Sequence, residues 1–131
     1  MLRLRLLSTV FTVETLAGTQ APPRGDWHAL IRAPEGLTVV RDADADTAAG
    51  ERWAGLYDAD AGHGLDAPGL LASVIDPLAQ AGVPVFAVST YHADLVLVPE
   101  PRRGDAVVAL AAAGHELVHA GGPFRLRPTS R

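Results

Sequence analysis

The sequence contains no cysteine and no lysine; all eleven basic residues are arginine. Without thiols there can be no disulfide, no thiol nucleophile and no cysteine-ligated zinc or iron–sulfur centre. Without lysine, Schiff-base and lysine-base catalysis are excluded as well. Long apolar runs are also missing. The nearest approach, Val83 to Val98, is broken by Ser89, Thr90, His92 and Asp94, so it falls short of the roughly 18 uninterrupted apolar residues of a spanning helix. Nor is there a basic face: the formal net charge is −4 and the arginines are scattered, which argues against nucleic acid as a partner. At the N-terminus, Met1 to Ser8 alternates arginine with leucine and lacks the sustained apolar core of a secretory signal, so it reads as a strand. These absences lead us to expect a cytoplasmic protein with neither a membrane nor a nucleic-acid partner.

What is present suffices for one real core. The chain has 131 residues, 48% of them hydrophobic and 20% charged, in the range of a single compact domain. From Leu2 to Leu16, apolar residues mix with Thr9, Thr12 and Thr15, a β-branched composition that predicts one strand or two short ones. Trp27 to Ala33 and Leu37 to Arg41 flank Pro34-Glu35-Gly36 in the pattern of a β-hairpin. The stretch Asp42 to Asp66 is the acidic part of the chain, read mainly as solvated surface. Within it, Trp53 to Asp58 forms a candidate strand.

A helix is expected next, opening at Asp66 as N-cap with Pro68 in the first turn. Leu70, Leu71, Val74, Ile75 and Leu78 recur at helical spacing, and Gly82 closes the run. Val83 to Ser89 and Asp94 to Val98 then predict two antiparallel strands joined by Thr90 to Ala93. Ala106 to Ala113 reads as a second helix stopped by Gly114, and Glu116 to His119 as a short last strand. In order from Trp53 this is strand, helix, strand, strand, helix, strand, an α+β arrangement with both helices on one face of an antiparallel sheet.

The run from Gly69 through Ala81, Gly82 and Val83, leading into Pro84-Val85-Phe86-Ala87-Val88-Ser89-Thr90-Tyr91-His92-Ala93-Asp94, resembles an ACT domain. Within that family it is similar to the subgroup of the CASTOR-type arginine sensors and the regulatory regions of aspartate kinases. Ala112-Ala113-Gly114-His115-Glu116 resembles the end of the second helix and the last strand of that subgroup. The resemblance implies a ferredoxin-like βαββαβ ACT unit over 53–119, preceded over 1–52 by a partial, strand-rich ACT-like lobe and followed over 120–131 by a loose tail. It also implies a regulatory sensor without catalysis, holding an amino acid or similar zwitterion at a lobe or dimer interface, with a homodimer and a regulated protein as partners and no cofactor. The ligand seam it implies comprises Leu65, Asp66, Gly69, Val83, Pro84, Val85, Thr90, Tyr91 and Asp94. Physical chemistry supports that placement, since a helix start attracts a carboxylate and Asp94 would pair with an amine or guanidinium.

Other readings compete. The subgroup's pre-helix loop carries hydroxyls, whereas this chain has Gly64-Leu65-Asp66-Ala67-Pro68; that difference supports a ligand-free structural or protein-interaction module. His115-Glu116-Leu117-Val118-His119 spells the H-E-x-x-H of zinc hydrolases, but that chemistry needs a helix carrying both histidines, Gly114 argues against that helix, and no His, Asp or Glu follows His119 as a third ligand. Asp42-Ala43-Asp44-Ala45-Asp46 lacks the glycine and the bidentate glutamate of a calcium loop, Thr47 and Trp53 standing in their places. His63 between Asp60 and Asp66 reads as a surface histidine, and Ser89 and Thr90 as structural hydroxyls.

Overall fold

The structure is a computed structural model that describes residues 2–18, 21–58 and 69–125. Among these described residues seven strands form one sheet. In chain order the elements are β1 (Arg3–Ala17), β2 (Ala29–Ala33), β3 (Gly36–Asp42), β4 (Trp53–Tyr57), α1 (Leu70–Gln80), β5 (Phe86–Ser89), β6 (Asp94–Pro99), α2 (Arg103–Ala112) and β7 (Glu116–Ala120). The elements from β4 onward follow the expected strand, helix, strand, strand, helix, strand succession, and the protein is a mixed helix and strand fold.

The N-terminal segment is a single long strand, and it organises the sheet. Sheet order runs β2-β3-β1-β4-β6-β5, with β7 also against β1. Along one edge of β1, Arg3 to Leu7 pair in parallel with Glu116 to Ala120, and Phe11 to Ala17 then pair antiparallel with β3. Along the other edge β1 meets β4, with a bulge between Leu6 and Val10. A ferredoxin-like unit standing alone would place its first and last strands side by side; here β1 lies between β4 and β7. Residues 3–7 therefore complete the sheet of the C-terminal half. The β2–β3 hairpin turns at Pro34-Glu35, and Gly36 follows at φ +136°, where an added Cβ would lie 2.5 Å from the Leu16 carbonyl oxygen.

Alternation along the strands builds two cores. Leu4, Leu6, Ala54, Leu56, Val96 and Val98 face the helices and pack with Val74 and Leu78 of α1 and Ala106 and Leu110 of α2. Burying each such leucine or valine stabilises the fold by about 1.5–3 kcal/mol. Their neighbours Leu7, Phe11, Val40, Leu95 and Leu97 point the other way, and there Tyr57, Phe86, Val88 and Phe124 join them.

Both helices stop as the glycines foretell. After α1, Gly82 sits at φ +71° and donates to Ala79 O while Val83 N reaches Leu78 O; after α2, Gly114 at φ +95° donates to Ala111 O while His115 N reaches Leu110 O. This pair of contacts is the Schellman closure, favoured by a residue that tolerates positive φ. The start of α1 differs from the expectation. Its first residue is Leu70, preceded by Gly69 at φ +83° with no side-chain cap; Asp66 and Pro68 lie outside the described residues. β5 also begins later than predicted, at Phe86, because Val83 N closes the helix and Pro84 has no N–H for a ladder.

The segment expected to be loose after β7 has defined contacts as far as residue 125. Ser8 Oγ donates to Gly122 O at 3.0 Å, Phe124 N donates to Thr9 Oγ1 at 3.0 Å, and Arg125 Nη2 meets Asp42 Oδ2 at 2.5 Å. The Phe124 ring lies edge-on to Phe11 and Tyr57 at centroid distances of 5.9 and 5.1 Å, the preferred geometry for aromatic pairs.

Candidate ligand site

Three strand ends converge at one edge of the sheet. β4 runs out at Asp58, β5 at Ser89, and β6 begins at Asp94, because Tyr57 pairs with Leu95 and Ser89 with Asp94. Two carboxylates are buried there, Asp58 at 2% and Asp94 at 6% exposure. Asp58 Oδ1 accepts the main-chain N–H of Asp94 at 2.5 Å, and Asp58 N donates in return to Asp94 O at 3.3 Å. Ser89 Oγ donates to Asp94 Oδ1 at 2.6 Å. Buried acids persist only where such donors compensate the loss of water. Asp58 is the last described residue before 59–68, and Gly69 the first after it.

The residues expected in the seam divide into distinct environments. Leu65 and Asp66 lie outside the described residues, as does His63. Gly69 bends the chain into α1. Val83 is buried under that helix, Pro84 is exposed, and Val85 is half-buried against the helix-side core. Thr90 is a turn residue: its Oγ1 accepts the N–H groups of His92 and Ala93 at 3.2 and 3.0 Å and donates to Ala93 O at 3.0 Å. Tyr91 is 69% exposed with its ring edge-on to His92. Of the expected polar contacts among the described residues, Asp94 is the buried one. The structure thus brings Thr90, Tyr91 and Asp94 to one end of the sheet and sets Val83 into the core.

Sequence reasoning overlooked Asp58, assigned to an acidic surface, and the pairing of Ser89 with Asp94. No local signal marks Asp58, because its contact depends on β4 meeting β6 across 36 residues of chain, whereas Ser89 and Asp94 meet through the register of the β5–β6 hairpin.

The H-E-x-x-H pattern falls on a turn and β7, as the glycine predicted. His115 Nδ1 accepts Leu2 N–H at 3.1 Å and Nε2 meets Ser73 O at 2.8 Å, so both ring nitrogens are engaged by main chain. No group of three or more metal-ligating side chains occurs among the described residues, and no helix among them is long and apolar enough to cross a membrane.

A seven-stranded sheet with two helices packed on one face defines the class: a small α+β domain. The ACT domain model matches residues 39–112, more than half of the chain, and the chain belongs to the ACT domain family. Domains of this family are in general small-ligand-binding regulatory modules. The fold is similar to the crystal structure of protein Atu0741 from Agobacterium tumefaciens, with TM-score 0.75 and 25% identity over 95% of this chain and 97% of that one. It is also similar to VC0802 from Vibrio cholerae, described as a protein of unknown function and possible transport protein, with TM-score 0.65 and 24% identity over 82% of this chain and 85% of that one. No curated protein matches the chain.

Proposed function

We propose that the protein is a cytoplasmic, non-catalytic sensor of the CASTOR-like kind, binding an amino acid or a similar zwitterion at the strand end beside α1, in a homodimer that transmits the occupied state to a regulated protein. The observation that carries this reading is the pair of buried carboxylates, Asp58 and Asp94, joined by the Asp94 N–H on the Asp58 carboxylate and the Asp58 N–H on the Asp94 carbonyl. A ligand amine placed there meets negative charge in a poorly hydrated setting, where charge-assisted bonds are strongest. Its carboxylate meets the free N–H groups at the start of α1. Tyr91, exposed on the adjoining turn, would cover the ligand or meet a facing copy. Binding then works by population shift, the ligand stabilising the packing to which it binds more tightly.

A second reading, a ligand-free interaction module, draws on one observation: the Thr90 hydroxyl is fully used within its own turn. Thermal denaturation of the full chain with each of the common amino acids discriminates between the two. The sensor reading expects one amino acid, or a chemically related few, to raise Tm in a concentration-dependent way, with Tyr91→Ala weakening that response. A flat response across the panel up to about 100 times a micromolar-range Kd sinks it in favour of the interaction module.

A further inference from the structure

Among the described residues, three strands have a hydrogen-bonded neighbour on one flank only: β2, β5 and β7. An open flank offers unpaired main-chain groups to any other strand, and proteins blunt it with brevity, proline or charge. β5 is four residues long and follows Pro84 closely. β7 carries Glu116, paired with Arg3, and runs into Gly121-Gly122-Pro123. β2 has no such protection. Trp27 to Ala33 contains neither proline nor glycine, and Arg32 is its one permanent charge. Trp27 is 41% and Ile31 42% exposed, two of the four large apolar side chains left open among the described residues. This flank precedes residues 39–112, over which the ACT model matches, so it belongs to the N-terminal part of the chain.

The two exposed side chains share a face. Ala29 packs into the core on the side away from the helices, and strand alternation puts Trp27 and Ile31 on that side with it. The 2.7 Å bond from His28 N to Val40 O carries the pairing with β3 back past the start of β2. Charge follows the same spacing, with exposed Asp26 before Trp27 and exposed Arg32 after Ile31. Neither enters a salt bridge among the described residues.

Asp26-Trp27-His28-Ala29-Leu30-Ile31-Arg32 is its own complement when turned end for end about Ala29. Trp27 then falls opposite Ile31 of the copy, and Asp26 opposite Arg32. Moving the axis to Leu30 sets His28 against Arg32 and Trp27 against Ala33; moving it to Ile31 sets Trp27 against Glu35. Neither alternative joins ring to branched chain or acid to base.

We propose that the open flank of β2 is taken by a second copy of this chain, β2 pairing antiparallel with β2 about a two-fold axis at Ala29. Aromatic–β-branched and opposite-charge pairs are the cross-strand combinations that stabilise a sheet, and the axis makes each of them twice. The contact is one strand wide, so the dimer dissociates reversibly. This inference rests on the homodimer in the reading above and not on its ligand.

Sedimentation velocity of the full chain over a concentration series tests it. A monomer–dimer equilibrium is expected, with Kd of about 10 micromolar. Ile31→Asp, which sets a carboxylate against Trp27, should raise Kd at least about tenfold. Arg32→Glu should raise it about fivefold, and adding Asp26→Arg should return it to within about twofold of the parent. Unchanged circular dichroism shows that the variants are folded. Because the chain has no cysteine, Ala29→Cys puts a lone thiol at the axis and should crosslink on oxidation at least about five times faster than Ala33→Cys. The proposal is overturned by a dimer indifferent to Ile31→Asp, by charge reversals that add where they should cancel, or by faster crosslinking at position 33. A dimer indifferent to Ile31→Asp leaves the homodimer standing with its surface elsewhere. A chain still monomeric at about 500 micromolar removes this proposal and the homodimer together. The response of Tm to amino acids is read separately, so sensing and this interface fail by different measurements.

Discussion

His115 Nδ1 accepts the main-chain N–H of Leu2 at 3.1 Å while Nε2 donates to the Ser73 carbonyl at 2.8 Å. One buried imidazole, in the tautomer these partners require, therefore ties the first residues of the chain to α1, while its own backbone closes α2.

Removing that ring should be costly. His115→Ala leaves a buried N–H and a buried carbonyl without their partner, a loss of about 2–4 kcal/mol when both are counted. Chemical denaturation should show a lower midpoint with an unchanged slope. A stability equal to that of the parent would mean that water replaces the imidazole without loss. Treatment with a chelator should leave Tm where it was, because the ring is a structural tie and not half of a zinc site.

The turn between β5 and β6 makes a second case. Thr90→Val keeps the shape but deletes the hydroxyl that serves His92 and Ala93, and should cost about 1 kcal/mol. Thr90→Ser should restore most of it. Thermal melts of the unliganded protein distinguish the possibilities: an effect seen only with ligand present would assign the hydroxyl to the ligand and not to the turn.

Close packing on the open face predicts a third result. Gly55 of β4 lies under the Phe11 ring; a Cβ there would stand 2.7 Å from Phe11 Cε1 and 3.1 Å from Leu7 Cδ1. Phe11 is wholly buried and cannot yield freely. Gly55→Ala is therefore expected to destabilise by about 1–3 kcal/mol through overpacking, and to move the resonances of Phe124 above Phe11. An alanine variant with parental Tm would show that the ring can move aside.

Acid should loosen the β1–β3 end of the sheet. Arg41 grips Glu14 through two bonds of 2.8 Å, which outweigh burial and hold that carboxyl below its ordinary 4.5. At Asp42, burial pushes the pKa up, but the bonds from Arg125 and His28 outweigh it and leave the group below its ordinary 3.8. A carboxyl with a depressed folded pKa takes up protons more readily when unfolded. Its stabilisation is complete above the unfolded value and disappears as pH falls through the folded one. Tm should accordingly decline once pH drops below about 5, and Glu14→Gln should flatten part of that decline. An unaltered slope in the variant would assign the acid sensitivity elsewhere.

Local chemistry made much of this legible in advance. The Pro34-Glu35-Gly36 turn, the glycine stops at 82 and 114, and the strand reading of Glu116 to His119 each depend on a few neighbouring residues, and each appears in the structure. The ACT resemblance was likewise carried by a continuous run from Gly69 to Asp94, all of which lies within the family match. Less of the site could be read. Thr90 and Asp94 were picked out as polar residues in the right stretch, but not that Thr90 would spend its hydroxyl on its own turn or that Asp94 would be buried against Asp58 and Ser89.

By itself the sequence determined which chemistries are closed to this protein, where its helices end and which residues are apolar enough to face a core, because composition and short-range periodicity act within a turn or a strand. Only the tertiary structure decided that β1 would stand between β4 and β7, that Asp58 and Asp94 would meet, and that Phe124 would cross back to cover Phe11. Those outcomes follow from pairings between residues dozens of positions apart, where register and loop closure choose among many partners that look alike along the chain.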